Sequence, residues 1–362
     1  MTDRAFASLA PAGVLARLAF SDLFESLSAG RQNSVADGSP ALDRMAVEPQ
    51  QIFDSDVLRL RLEAERRVSS QNAYLSDGET SESLTEPDSD IESQHHELGM
   101  IWTGQYLLAL ESPPSVPERG YTAGKGPLEN TPVDLLLCTR SFAKWHNINL
   151  RNPHARFNFT VSRSFYVAGC SSSQSAQLTV NGEVATRRPY HLNQHNMKIR
   201  LDKLEYDFQW TEYAVTDDYK RERTRYVTRI LGGPQFVDID IPTPLPNTRT
   251  MGVWTLGDPL GAGGHGRVFF ASTTSGDVAA IKMMERTSRN YRNVDAEVEV
   301  CKEVTAFAER SDDGERILRA TEVIYSNDEK FSPKRAFDNV AVVLKPMTRE
   351  TLADWVGIRS KG

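Results

Sequence analysis

Between residues 99 and 215 the apolar residues come in short runs, parted by Gly, Pro, Ser and Asn. Runs bounded by turn formers in this way predict strands. They fall at Gly104–Leu110, Val133–Cys138, Arg156–Phe159, Ser164–Val167, Leu178–Val180, Lys198–Leu201 and Tyr206–Thr211. No helical period competes, and the repeated turns predict an all-β sandwich. The pattern changes at residue 251. Arg267-Val-Phe-Phe-Ala271 and Val278-Ala-Ala-Ile-Lys-Met283 flank the turn Thr273-Thr-Ser-Gly276, which predicts a hairpin. Asn293–Arg310 then carries Val294, Val298, Cys301, Val304 and Phe307 at helical spacing. Further strands are expected at Ile317–Tyr325 and Asn339–Leu344, followed by a helical pattern at Thr351–Trp355. The expected class is multidomain: an all-β sandwich over 99–215, then an α+β lobe of antiparallel sheet and one helix over 251–362.

The first 98 residues read as mostly disordered. Residues 71–98 are acidic and Ser-rich, with too few large apolar groups to offset the entropy of ordering. Ser76 and Ser89 there precede acidic residues, the setting acidophilic kinases favour; a solvated tail is the blander reading. Residues 10–28 place Val14, Leu15, Leu18, Leu23 and Leu27 in a helical pattern, open between a docking helix and a marginal isolated one. Residues 216–250 read as a basic, Pro-rich linker. Lys220-Arg-Glu-Arg-Thr-Arg225 is open between a charged linker face, a nuclear-import signal and a phosphate strap, and Pro242-Thr-Pro-Leu-Pro246 reads as a stiff connector.

A net charge of −7 over 362 residues argues against bulk nucleic-acid binding. Arg17 interrupts the apolar run of the first helix, so neither a secretory core nor a membrane span is expected. The scattered cysteines Cys138, Cys170 and Cys301 fit a reducing compartment, nucleus or cytoplasm, without disulfides or zinc. His95-His96 is too sparse for a metal, and no metal site is expected.

The chemistry concentrates at Leu260–Lys282. Gly261, Gly263 and Gly266 give G-x-G-x-x-G, which Val268 extends to G-x-G-x-x-G-x-V. A dinucleotide fold would need a helix directly after the loop, so that its N-terminus faces the pyrophosphate. Here a hairpin follows, and that alternative loses. Glycines let the backbone approach phosphate oxygens without Cβ clashes and offer N–H donors.

With Ala280-Ile281-Lys282, the segment resembles the Gly-rich loop and third strand of protein kinases. The resemblance implies ATP binding by Leu260, Gly261, Gly263, Gly264, Gly266, Val268, Ala280 and Lys282. Lys282 would pair with the α- and β-phosphates, and Val268 and Ala280 would sandwich adenine. It also implies a helix-C carboxylate holding the lysine. Glu297 is the choice, with Glu299 and Glu303 as rivals. Leu344 stands as gatekeeper, and Lys345 and Met347 as the hinge residues facing adenine. Pro346 sits where no N–H is needed. Neither H-R-D nor D-F-G follows Lys282, so the base and the protein ligands of Mg2+ are missing and no catalytic residue is expected in this chain. As written the chain is expected to be an inactive relative of Ser/Thr kinases. The ending at Gly362 is expected to reflect a truncated gene model or a clipped chain rather than a designed stop.

Three features of the sandwich resemble the forkhead-associated (FHA) domain, which binds phosphothreonine peptides through its loops. Gly124-Lys125 precedes Asp134-Leu-Leu-Leu137, His154-Ala-Arg-Phe157 resembles the family's His-Ala after Ser-Arg-x, and Val180-Asn181-Gly182 resembles its Val-Asn-Gly turn. The resemblance implies phosphopeptide contacts at Lys125, Arg151 and Asn181. Lys125 stands where the family has arginine, losing the bidentate fork. Arg151 and Asn152 replace the family's Ser-Arg, so a degenerate sandwich used for protein contacts, with His154 structural, competes with phosphate binding. An FHA-like sandwich ahead of a kinase lobe is similar to the checkpoint-2-type kinases, which implies recruitment of phosphothreonine-bearing partners. The alternative is a non-catalytic interaction protein with a vestigial lobe.

Overall fold

The computed structural model describes residues 4–33, 43–51, 100–126, 133–170, 177–185, 188–232, 239–264, 266–311, 317–325 and 339–347. Among these the chain is a mixed α+β protein of three sheets and four helices, and one sheet curls into an antiparallel half-barrel. The expected helix at Thr351–Trp355, the acidic stretch 71–98 and His95-His96 lie outside the described residues. The chain divides into two compact units: Met1–Asn158 with Val167–Arg188 and Asn196–Tyr219, and Phe159–Tyr166 with Pro189–His195 and Lys220–Gly362.

The first elements are β1 (Ala7–Pro11), α1 (Val14–Asn33), β2 (Met45–Gln51) and β3 (Met100–Leu108). They are followed by β4 (Tyr121–Gly126), β5 (Leu135–Thr139), α2 (Arg140–Trp145), β6 (Ala155–Phe159) and β7 (Phe165–Gly169). Then come β8 (Leu178–Val180), β9 (Glu183–Val184), β10 (Tyr190–His191), β11 (Asn196–Leu201) and β12 (Leu204–Trp210). One sheet runs β2-β3-β1-β12-β11-β8-β9 and a second runs β10-β7-β6-β4-β5. In the first unit the two sheets face one another: the Tyr106 hydroxyl on β3 donates to the Leu136 carbonyl on β5 at 2.8 Å, and the rings of Phe6 and Tyr121 lie 6.4 Å apart.

The expectation of a mostly disordered amino terminus is corrected for residues 4–33 and 43–51. β1 is an interior strand, antiparallel to both β3 and β12, and Leu9 at its centre is fully buried. A strand covered on both faces has no alternation for a period-two search to find. Residues 14–33 form α1, a helix packed into the core of the first unit rather than an isolated one. Leu23 and Leu27 of α1 form a core with Val133 and Leu136, and Phe20 meets Tyr106 edge-on at 5.3 Å. The expectation that no helix interrupts the β region also needs correction. α2 starts at an N-cap, Thr139, whose side chain accepts the Phe142 N–H at 3.0 Å.

The longest segment of the second unit opens with most of α3 (Asp217–Leu231), which replaces the first half of the expected linker. Its basic string reads as solvated, but helical spacing puts Tyr219, Arg223, Tyr226 and Val227 on one buried face. Arg223 donates to Asp240 at 2.8 Å and to the Ile241 carbonyl at 3.2 Å, while Arg163 approaches the same carboxylate at 3.3 Å.

The third sheet is built from β13 (Thr250–Met251), β14 (Trp254–Gly263), β15 (Gly266–Ser272), β16 (Val278–Met284), β17 (Arg319–Tyr325) and β18 (Val340–Lys345), with α4 (Tyr291–Ala308) after β16. The order is β13-β14-β15-β16-β18-β17, every neighbouring pair antiparallel. Alternation along these strands gives two apolar faces. Trp254, Leu256, Ala279, Ile281 and Val343 form one core. Met284, Val340 and Val342 form the other, together with Val294 and Val298 of α4. The hairpin turn Thr273–Asp277 belongs to the same unit as His191, whose N–H donates to the Thr274 carbonyl at 2.8 Å. Gly276 has φ +88°, and a Cβ there would lie 2.3 Å from the His191 ring, which fixes glycine at this turn.

Candidate functional site

The register of the third sheet decides which side chains share its α4 face. Val268 lies opposite Lys282, Lys282 opposite Val342, and Ala280 opposite both Phe270 and Leu344. Cross-strand partners point the same way, and positions two apart do too. Val268, Ala280, Lys282 and Leu344 are therefore on one face, the face α4 covers beyond Val342. The Lys282 ammonium pairs with the Glu297 carboxylate on α4, both side chains only about a quarter exposed (25% and 29%). Of the carboxylates left open by sequence, Glu299 instead pairs with Lys302 at 2.7 Å, and Glu303 is exposed.

α4 is held in place by a second pair that sequence reading missed. Arg286, 1% exposed, makes two parallel hydrogen bonds to Asp295 at 2.9 and 3.0 Å, and its guanidinium lies 5.6 Å from the centre of the Tyr291 ring. A bidentate fork fixes orientation as well as distance. Arg286 lies just past the end of β16 and Asp295 near the start of α4, so the pair ties the strand of Lys282 to the helix of Glu297. The only sequence signal was an arginine after a strand, with an aspartate early in the helix that follows.

The glycines of the loop divide into two kinds. β14 and β15 pair as far as Gly263 opposite Gly266. Gly266 has φ +141°, and a Cβ there would fall 2.3 Å from the Met283 carbonyl oxygen. By contrast a Cβ on Gly261, Gly263 or Gly264 would meet nothing within 4 Å. Gly266 thus serves the fold, and the others leave the backbone above the sheet open. Leu260 is exposed at 49%. At the other end of the sheet, Lys345 turns away from Leu344. Its ammonium lies 5.1 Å from the Trp254 ring centre and 3.7 Å from Asp277, while Met347 follows half-buried.

A second group lies in the first unit. Gly124 on β4 has no room for a side chain, since a Cβ would sit 2.4 Å from the Arg151 carbonyl oxygen. That carbonyl accepts the Lys125 N–H at 3.1 Å, and the His154 N–H donates to the Ala123 carbonyl at 2.8 Å. His154 is buried. Its Nδ1 lies 3.2 Å from the Arg151 N–H, and its Nε2 lies 3.2 Å from the Gln177 carbonyl. The acceptor at Nε2 and the donor at Nδ1 fix a neutral ring protonated on Nε2. Burial, with smaller contributions from the cations Arg151 and Lys125, pulls its pKa below the ordinary imidazole value. Asp134 supports β4 from beneath, accepting from the backbone and hydroxyl groups of Ser115 and Thr122 at 2.6 to 2.9 Å. Lys125 and Arg151 are thus brought to one neighbourhood. Asn181 takes a turn position, φ 50°, with its Oδ1 accepting the Lys198 N–H at 2.8 Å.

Among the described residues no group of three or more His, Cys, Asp or Glu side chains is arranged to hold a metal ion, and no helix is long and apolar enough to cross a membrane. No protein-family model matches the chain, and no curated protein matches it.

Proposed function

We propose that the second unit carries a nucleotide-binding lobe of the protein-kinase type, and that ATP is its ligand. The observation that carries this reading is the Lys282–Glu297 pair, on the same sheet face as Val268, Ala280 and Leu344. A lysine held by a carboxylate is kept extended and charged where phosphate oxygens would be met. The open backbone at Gly261, Gly263 and Gly264 fits close approach of phosphates to N–H donors. Val268 and Ala280 offer small apolar surfaces to a purine, with the backbone of Lys345 and Met347 at the edge. Without H-R-D and D-F-G in the sequence, these residues bind and orient a nucleotide, and no transfer step is assigned to them. Titration with a fluorescent ATP analogue tests the proposal. Wild type should saturate, and Lys282→Ala should weaken binding by about tenfold or more, as loss of a charge-assisted contact to phosphate does. Equal binding by both proteins defeats the reading.

We also propose, as a second reading, that the first unit recruits a phosphothreonine-bearing protein in the FHA manner. Its support is the clamped loop Arg151–His154, which seats against Gly124 and sets Lys125 and Arg151 around His154. Two cations near one loop suit a dianion, even without the arginine fork. Fluorescence anisotropy with a phosphothreonine peptide should show binding that Lys125→Ala and Arg151→Ala each weaken. An affinity indifferent to both changes removes the assignment.

A further inference from the structure

Beside Lys125 the first unit has a concavity of about 590 Å3, lined by Lys125, Arg140, Lys144, Asn149, Asp202 and Lys203 among others. It draws on three separate places in the sequence: the end of β4, helix α2 with the turn after it, and the tight β11–β12 turn. Arg140 and Lys144 come from one helix at i and i+4, so both project on the same side. Asp202 is the one carboxylate in the lining, and its Oδ2 already accepts the Asn149 N–H at 2.7 Å. Lys203 lies 3.4 Å from the His146 carbonyl and brings no counter-charge. Among the described residues no carboxylate forms an ion pair with Lys125, Arg140 or Lys144. Four cations against one carboxylate leave a local positive surface on a protein whose net charge is −7. Like charges gathered in a concavity repel one another and gain most from a ligand that neutralises several at once.

We infer that this concavity is a binding site for the acidic stretch of a partner peptide, taking clustered carboxylates or an additional phosphate. Its chemistry differs from that of the loop at Arg151. There a single dianion would meet Lys125 and Arg151; here several exposed cations of flexible reach suit a run of side chains. A concave surface fits an extended peptide better than a flat membrane, and the acidity of the chain as a whole opposes a duplex polyanion. The inference extends the recruitment reading: Lys125 is shared, so a peptide with acidic residues beside its phosphothreonine would engage both places. Arg140 and Lys144 are exposed on a short helix, and replacing them should leave the fold intact.

The test uses the full chain and three fluorescein-labelled peptides of one backbone sequence. The first has phosphothreonine followed by four glutamates, the second has the glutamates replaced by glutamine, and the third has the glutamates with unmodified threonine. The glutamate tract should tighten phosphopeptide binding by about tenfold at low salt, with the gain shrinking as salt screens it. The double variant Arg140→Ala/Lys144→Ala should abolish that gain and bind the glutamine peptide as wild type does. If phosphate recognition fails but the concavity is real, the unphosphorylated glutamate peptide still binds wild type and is lost in the double variant. The inference is overturned if the glutamate tract gives no gain in either background, or if the gain survives in the double variant. It is also overturned if vesicles containing phosphatidylserine bind the protein through Arg140 and Lys144 while no peptide does.

Discussion

Gly266 and Gly261 belong to one glycine-rich turn, yet a methyl group added to each should do different things. At Gly266 it would strike the Met283 carbonyl from a backbone at φ +141°, so Gly266→Ala should lower unfolding stability by about 1–3 kcal/mol. At Gly261 nothing stands within 4 Å, so Gly261→Ala should leave the melting temperature within a degree or two (about 0.5 kcal/mol). It should nevertheless weaken binding of a fluorescent ATP analogue, because the methyl group would occupy the approach to the loop. Thermal melts and titrations on the two variants separate these roles; equal melting temperatures for both would contradict them. Spacing made the loop, Lys282 and Glu297 legible, because a motif records residue types at fixed intervals. It could not divide the glycines, since a positive φ and a neighbouring carbonyl belong to the folded chain.

At the scale of elements, Arg286 and Asp295 fix α4 against β16. Removing a buried guanidinium strands its partner, though Asp295, at 35% exposure, regains some water. Arg286→Ala should therefore cost about 1–3 kcal/mol, less than a fully buried pair would. It should also raise amide exchange along α4. Arg286→Lys keeps the charge without the fork and should recover only part of the loss; exchange in α4 unchanged in both variants would show that the pair does not hold the helix. Most strands with clear turn residues were readable, among them β5, β6, β8, β11, β12, β15, β16 and β18. β1 was not, because both its faces are buried. α3 was misread because its buried face carries Arg223 among tyrosines, and a sequence window prices an arginine as solvent-exposed.

For the molecule as a whole, the ordered amino terminus and two buried histidines set how stability should respond. β1 lies between β3 and β12, and Leu23 of α1 is fully buried, so deleting residues 1–33 should abolish cooperative unfolding of the first unit. Leu23→Ala alone should cost about 2–5 kcal/mol. Retention of a sharp thermal transition after the deletion would contradict the assignment. Burial lowers the pKa of both His154 and His191, each offset in part by nearby carboxylate or carbonyl groups. The unfolded chain therefore takes up protons near the ordinary value of about 6.5 while the folded chain does not. Stability should be full above that value and fall as the pH drops from about 7.5 toward 5.5. His154→Gln should reduce the slope in urea melts across that window, and an unchanged slope would remove His154 from the account. That the chain combines several sheets with helices was visible in the pattern of runs and turns, while the strands β1 and β2 that complete the first sheet were not. The basic concavity was not, since it joins β4, α2 and the β11–β12 turn, which only folding brings together. The proposed nucleotide site is tested most directly by a biotinylated ATP acyl phosphate, which acylates lysines lying against bound phosphates, with peptide mapping of the product. Lys282 should be the principal modified lysine, and excess ATP should suppress the label. A Lys282 that stays unlabelled, or labels equally with and without ATP, would contradict the account.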